Sequence, residues 1–230
     1  MTDSAIDYIR QYLPSAEFVS PSDLSDEDRG VLPQQWADLL AKRGAERTKE
    51  MLVCWSRFRD VLPDLVDKLT TDLQSVDLLR HKGALSLVYG VNYDGRTIYY
   101  QAGNPNTRRR SNTVEKLWPR LPQRVREFYE FSDGWYYLAS HSMGMSASAD
   151  IFCLAAEEWG ILDDLGPQPV DLEKTLALFT NGQFGYVCID LSKAEPDQAG
   201  LIWWSDKAPK VNQDFWAVID AWTVIGLEKK

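Results

Sequence analysis

The sequence predicts an α+β fold. Three observations predict it: apolar residues at helical spacing through residues 1–80, a change to period-two alternation at Ala84, and a return to helical spacing from Gln213 to Ile225. In the first part, Ile6, Ile9 and Leu13 mark one apolar stripe. After a linker from Pro21 to Gly30, Trp36, Leu39 and Leu40 mark another, and Pro33 sits where a first-turn proline is tolerated. Residues 46–59 set Met51, Val53, Trp55 and Phe58 among arginines and glutamates, and Pro63 opens a helical pattern through Leu65, Val66, Leu69 and Leu73. His81, between Arg80 and Lys82, reads as the C-terminal region of a helix, where cations suit the helix dipole.

From Ala84 the chain reads as strands. Leu85, Leu87, Tyr89 and Val91 alternate with small or polar residues, Asp94-Gly95 supplies a tight turn, and Thr97 to Gln101 is β-branched and aromatic, which together predict a hairpin. The loop from Gly103 to Asn112, with Asn-Pro-Asn and Arg108-Arg109-Arg110, marks a junction. The chain therefore divides into 1–107, a helical extension ending in a hairpin over 84–102, and 108–230, an α+β domain; whether they share one core stays open. In the second part an amphipathic helix runs from Pro122 to Phe131 and stops at Ser132-Asp133-Gly134. Tyr136 to Leu138 and Asp150 to Leu154 read as short strands around a Ser/Met/Gly loop, and Glu157 to Leu165 as a helical turn. Leu176 to Phe179, Asn181-Gly182 and Tyr186 to Leu191 form a second hairpin, Leu201 to Trp204 a further strand, and Gln213 to Ile225 the closing helix.

Composition narrows the function. With 44% hydrophobic residues the chain can bury a core, and nine Trp, ten Tyr and eight Phe exceed what a minimal core needs, so some are expected to face a partner. Three cysteines, Cys54, Cys153 and Cys188, with no Cys-x-x-Cys spacing, fit a reducing compartment. Asp3, Asp7 and Arg10 interrupt the N-terminal apolar residues, so no signal peptide is read, and no uncharged run reaches membrane length; a cytoplasmic protein is expected. Most of the net charge of −9 lies after residue 115, which disfavours nucleic acid and favours basic protein partners.

Reaction chemistry has few carriers. The only histidines are His81 and His141, and His141 sits between Ser140 and Ser142 in a polar loop, where neighbouring side chains point apart. Glu157-Glu158 and Asp163-Asp164 are paired carboxylates without a histidine or third carboxylate at ligand spacing, so no metal or other cofactor is expected. The glycines of Asn181 to Gly185 serve a turn rather than a phosphate. The arginines at 108–110, with Lys116, Arg120, Arg124 and Arg126, lack interleaved stacking aromatics and are expected to pair with the acidic half or to solubilise a loop. The reading is a non-enzymatic binding protein.

The order of motifs carries a family likeness. LPQRVREFYEFSDGW (Leu121 to Trp135), a short strand at Ile151 to Leu154, then FGYVCIDLS, GLIWWSD and DFWAVIDAW resembles the SUKH superfamily, in particular its Smi/Knr-type branch, over residues 111–226. The resemblance implies a central, mostly antiparallel sheet with packed helices. It also implies an immunity protein, an antitoxin that neutralises a cognate secretion-system effector of nuclease type by masking its active site or substrate path. The alternative it implies is a regulatory or scaffolding interaction module without a toxin partner. The candidate partner-binding residues are the acidic and aromatic set Asp133, Trp135, Tyr136, Glu157, Glu158, Asp163, Asp164, Trp203, Trp204 and Asp206, with Trp203 and Trp204 on opposite faces of one strand.

Overall fold

In the computed structural model, residues 3–162, 170–193 and 199–227 are described. The elements run α1 (Asp3–Arg10), β1 (Glu17–Phe18), α2 (Asp26–Val31), α3 (Gln34–Leu40), α4 (Gly44–Ser56), α5 (Pro63–Asp72), β2 (Leu73–His81), β3 (Ala84–Tyr93) and β4 (Arg96–Gly103). They continue as α6 (Asn112–Leu117), α7 (Gln123–Phe131), β5 (Asp133–Tyr137), β6 (Ser142–Met145), β7 (Phe152–Cys153), β8 (Thr175–Thr180), β9 (Gly185–Asp190), β10 (Gly200–Trp204), β11 (Lys210–Gln213) and α8 (Phe215–Leu227). The α+β class is as expected.

The eleven strands among the described residues lie in one sheet, in the order β1-β2-β3-β4-β5-β6-β8-β9-β10-β11, with β7 also paired to β8. Every pairing is antiparallel among the described residues. Strands consecutive in the chain are neighbours in the sheet except β6 and β7, which both pair with β8, and short turns suffice to join many of them. At Lys82-Gly83 and Asp94-Gly95 both central residues have positive φ (50° and 80°, 51° and 78°), the conformation that matches the twist of a hairpin.

One face of the sheet packs against α3, α4, α5, α7 and α8. Alternation does the sorting: Leu85, Leu87, Tyr89 and Val91 of β3 enter this core, whereas Val88 enters a smaller one on the other face. Trp55 of α4 meets Phe131 at 5.3 Å and Trp135 at 5.4 Å between ring centroids, and Trp135 stacks on Tyr100 at 4.1 Å. Residues before and after 107 thus share one aromatic core, and β4 pairs directly with β5 across that position. The motif helix contributes Val125, Phe128, Tyr129 and Phe131 to it, as their spacing requires. Its stop is obligatory: Gly134 has φ of 79°, and a Cβ there would come within 2.6 Å of the Ala147 nitrogen.

Several elements differ from expectation. Leu73–His81 is a strand rather than the end of a helix, so His81 closes a hairpin arm instead of a helix terminus. The decisive factor is pairing with β3, which buries Val76 and Leu78 on one face and Leu79 on the other, overriding the local helical spacing. The linker contains α2, capped by Ser25, whose hydroxyl accepts from Asp28 N while Asp28 accepts from Ser25 N. The Ser/Met/Gly loop contains β6, and β11 lies where the closing helix was expected to begin. Part of the Glu157–Leu165 turn, including Asp163 and Asp164, lies outside the described residues.

A candidate partner-binding cleft

The second face of the sheet carries two covers. At one end Ala5 and Ile9 of α1 pack on Leu79, Val88, Tyr99 and Leu138. At the other, Leu154, Trp159 and Val170 pack on Ala177, Cys188, Leu201 and Trp203. Between them β6 and β7 share one edge of β8: Gly144 and Met145 pair with Thr180 and Phe179, while Phe152 and Cys153 pair with Ala177 and Leu176. The chain leaves the sheet between these short strands, and a cleft of about 230 Å³ opens there, lined by Tyr136, His141, Gly144, Ser146, Asp150, Phe152, Phe179, Thr180 and Tyr186 among others.

Its walls are aromatic and its rim is charged. Phe152 and Tyr186 meet edge to face at 5.4 Å, and Tyr186 is backed by Trp159 at 5.8 Å, itself 5.5 Å from Trp203. His141 lies 4.2 Å from the Tyr136 ring, and its Nε2 bonds Asp150 Oδ2 at 2.9 Å. His141 and Met143 are non-glycine residues with φ of 52° and 55°, a conformation uncommon for side-chain-bearing residues and frequent at functional sites. Burial raises the Tyr136 hydroxyl well above the ordinary tyrosine range, with Asp150 and Asp133 adding to the shift. Tyr186 is raised by burial too, and then by Glu157, an exposed carboxylate outside the cleft lining.

Gly144 makes the cleft floor possible. A Cβ at that position would lie 2.0 Å from the Trp135 carbonyl oxygen, so only glycine lets β6 cross this close to β5. A Ser-His arrangement does not form: Ser140 and Ser142 hydroxyls bond each other at 2.7 Å, and among the described residues no hydroxyl or thiol bonds His141. No group of three or more His, Cys, Asp or Glu among the described residues is placed to hold a metal ion. Cys54, Cys153 and Cys188 are free, and burial raises each thiol. Among the described residues no helix is long and apolar enough to cross a membrane.

Comparison with protein-family models, curated proteins and solved structures gave no match.

The candidate residues separate into groups. Tyr136 lines the cleft, and Glu157 and Glu158 are exposed beside Trp159. Trp135, 1% exposed, stands in the main core, and Trp203, fully buried, in the second-face core, so both serve packing. Asp133 is buried and accepts from Ser148 N at 3.0 Å, which anchors the loop after β6. Trp204 points to the opposite face, 5.5 Å from Trp222, with the Lys207 ammonium 3.7 Å above its ring, and Asp206 is exposed nearby. The opposed directions of Trp203 and Trp204 follow from strand alternation, but covers lie on both faces: the Trp159 segment over Trp203 and α8 beside Trp204.

Asp150, Phe152 and Tyr186 join the site without having been singled out by sequence. Alternation tells which face each residue takes only once register is known, and bulges in β5–β6 and β8–β9 shift that register. The basic residues are largely committed within the fold. Arg110 pairs with Glu115 and covers the Trp118 ring, Arg124 pairs with Asp60 and Glu127, and Arg120 donates to the Leu191 carbonyl. Of the expected acidic partners in the second half, Glu127 pairs with Arg124, whereas Glu115 and Asp60 belong to the first half.

Proposed function

We propose that the chain is a cytoplasmic immunity protein of the SUKH, Smi/Knr-like kind, which neutralises a basic, nuclease-type toxin by binding it and masking its active site or substrate path. The observation that carries this reading is the aromatic cleft with Asp150 in its lining and exposed Glu157 and Glu158 beside the Trp159 that backs it, on the second face. Nuclease grooves are basic because they hold phosphates, so an acidic face steers encounter and competes for the same surface, while aromatic contacts slow dissociation. An antiparallel sheet with packed helices accords with the family likeness but is shared by many folds, so the motif order contributes the rest. Co-expression with the product of the adjacent gene tests it: relief of that product's growth arrest is expected, and arrest that persists unchanged overturns the reading.

A second reading, a scaffolding module, is favoured by one observation. On the opposite face a groove of about 710 Å³ is lined by Tyr93, Met143, Trp204, Trp222, Ile225 and Lys210, a surface of different charge from the cleft. Affinity capture that returns several unrelated partners, with no toxin among them, favours this reading.

A further inference from the structure

We propose that the cleft between the two covers seats a single arginine side chain supplied by a protein partner. This deepens the toxin-binding reading and rests on it only for the partner being a toxin.

Size comes first. About 230 Å³ is below the ~300–1,000 Å³ of small-molecule and cofactor sites, and suits one side chain. Charge then selects its sign, since Asp150 in the lining, reinforced by exposed Glu157 acting on Tyr186 from outside it, repels a phosphate or carboxylate and attracts a cation. The walls select its shape: Tyr136, Phe152 and Tyr186 line the cleft with aromatic rings, and a planar cation is attracted to a ring quadrupole. Acceptors remain for it. Asp150 uses Oδ2 for His141, and its Oδ1 makes no hydrogen bond among the described residues. The Tyr136 hydroxyl also makes no hydrogen bond among the described residues and stays open to a ligand in the cleft it lines.

A guanidinium meets these demands better than an ammonium. It stacks as a plane and carries five donors in a fixed fork, whereas lysine presents one compact, strongly hydrated charge. His141 already displays the geometry, with a planar nitrogen ring against Tyr136 and an N to O contact with Asp150.

The test uses the isotopically labelled full chain and N-acetyl-L-arginine amide, with the lysine and citrulline amides as comparison probes. Saturable NMR shifts centred on Gly144, Ser146 and Thr180 are expected, with a dissociation constant on the order of millimolar, lysine weaker and uncharged citrulline without saturation. Asp150→Asn, at an exposed residue bonded to His141, keeps the fold and weakens arginine amide by about tenfold. Tyr186→Leu removes one wall while keeping an apolar side chain, and has the same direction of effect. Citrulline binding as well as arginine, shifts centred elsewhere, or an unchanged Asp150→Asn titration overturns the proposal. The two readings separate cleanly. Arginine amide that binds the cleft while toxin growth arrest persists overturns immunity alone, and full protection by variants that no longer take arginine amide overturns the arginine seat alone.

Discussion

Asp220, on the closing helix, accepts a hydrogen bond from the backbone nitrogen of Leu65 at 2.8 Å, across 155 positions of sequence. Its other oxygen accepts from Asp64 N at 3.0 Å, so one carboxylate caps α5, whose own N-cap residue, Leu62, supplies no side-chain bond. Asp220 is 4% exposed, and burial raises its carboxyl above the usual range despite the two donors. Asp220→Ala leaves both donors without this acceptor and is expected to cost about 1–3 kcal/mol, with Asp220→Asn costing less because one oxygen remains. Urea unfolding followed by tryptophan fluorescence measures it. Equal midpoints for the wild type and both variants contradict the capping role.

Asp133 gives a pH dependence of defined sign. Burial raises its carboxyl above the ordinary 3.8, so its protonated form favours the folded state. That contribution is fully present below 3.8 and lost as pH rises through the raised folded value. Asp133→Asn retains an oxygen for Ser148 N and does not titrate. The stability difference, variant minus wild type, is therefore expected to grow from pH 4 toward neutrality. A difference that shrinks instead, measured by urea unfolding at both ends, contradicts a desolvated carboxylate.

Much of the fold is legible because local rules and tertiary packing agree. Asp94-Gly95 between alternating strands is a hairpin signal that pairing leaves intact, and Val125, Phe128, Tyr129 and Phe131 bury the face their spacing selects. The β2 strand is less legible, because Leu73 continues the helical spacing of α5 and only partners in β3 decide otherwise. Its own cue is the Lys82-Gly83 turn. The cleft is hardest to read. Tyr136, Phe152 and Tyr186 are far apart in sequence, and their meeting depends on two short strands dividing one edge of β8. Trp135 illustrates the converse: an aromatic chosen as a contact residue becomes the packing partner of Tyr100.

Gly144 tests whether the cleft floor depends on close strand approach. In Gly144→Ala the new methyl meets the Trp135 oxygen at 2.0 Å and Tyr136 Cα at 2.8 Å, both backbone atoms that cannot swing away. A loss of about 1–3 kcal/mol or more is expected, as for overpacking of a filled interior. Backbone amide exchange should rise first in β5 and β6. A variant with wild-type stability and exchange rates contradicts the constraint.

Glu157 and Glu158 test the steering part of the toxin reading. Both are exposed, and Glu157 acts electrostatically on Tyr186 at the cleft, so reversal of their charge changes the field at the site without removing buried packing. Glu157→Lys with Glu158→Lys is expected to slow association with the toxin by about tenfold at low ionic strength, with little change in dissociation. Salt provides the internal control, because screening over ~10 Å at 0.1 M should bring the two association rates together as ionic strength rises. Stopped-flow association at several salt concentrations measures this. A rate indifferent to both charge reversal and salt removes these carboxylates from the encounter, whereas a change confined to dissociation makes them direct contacts rather than a steering field.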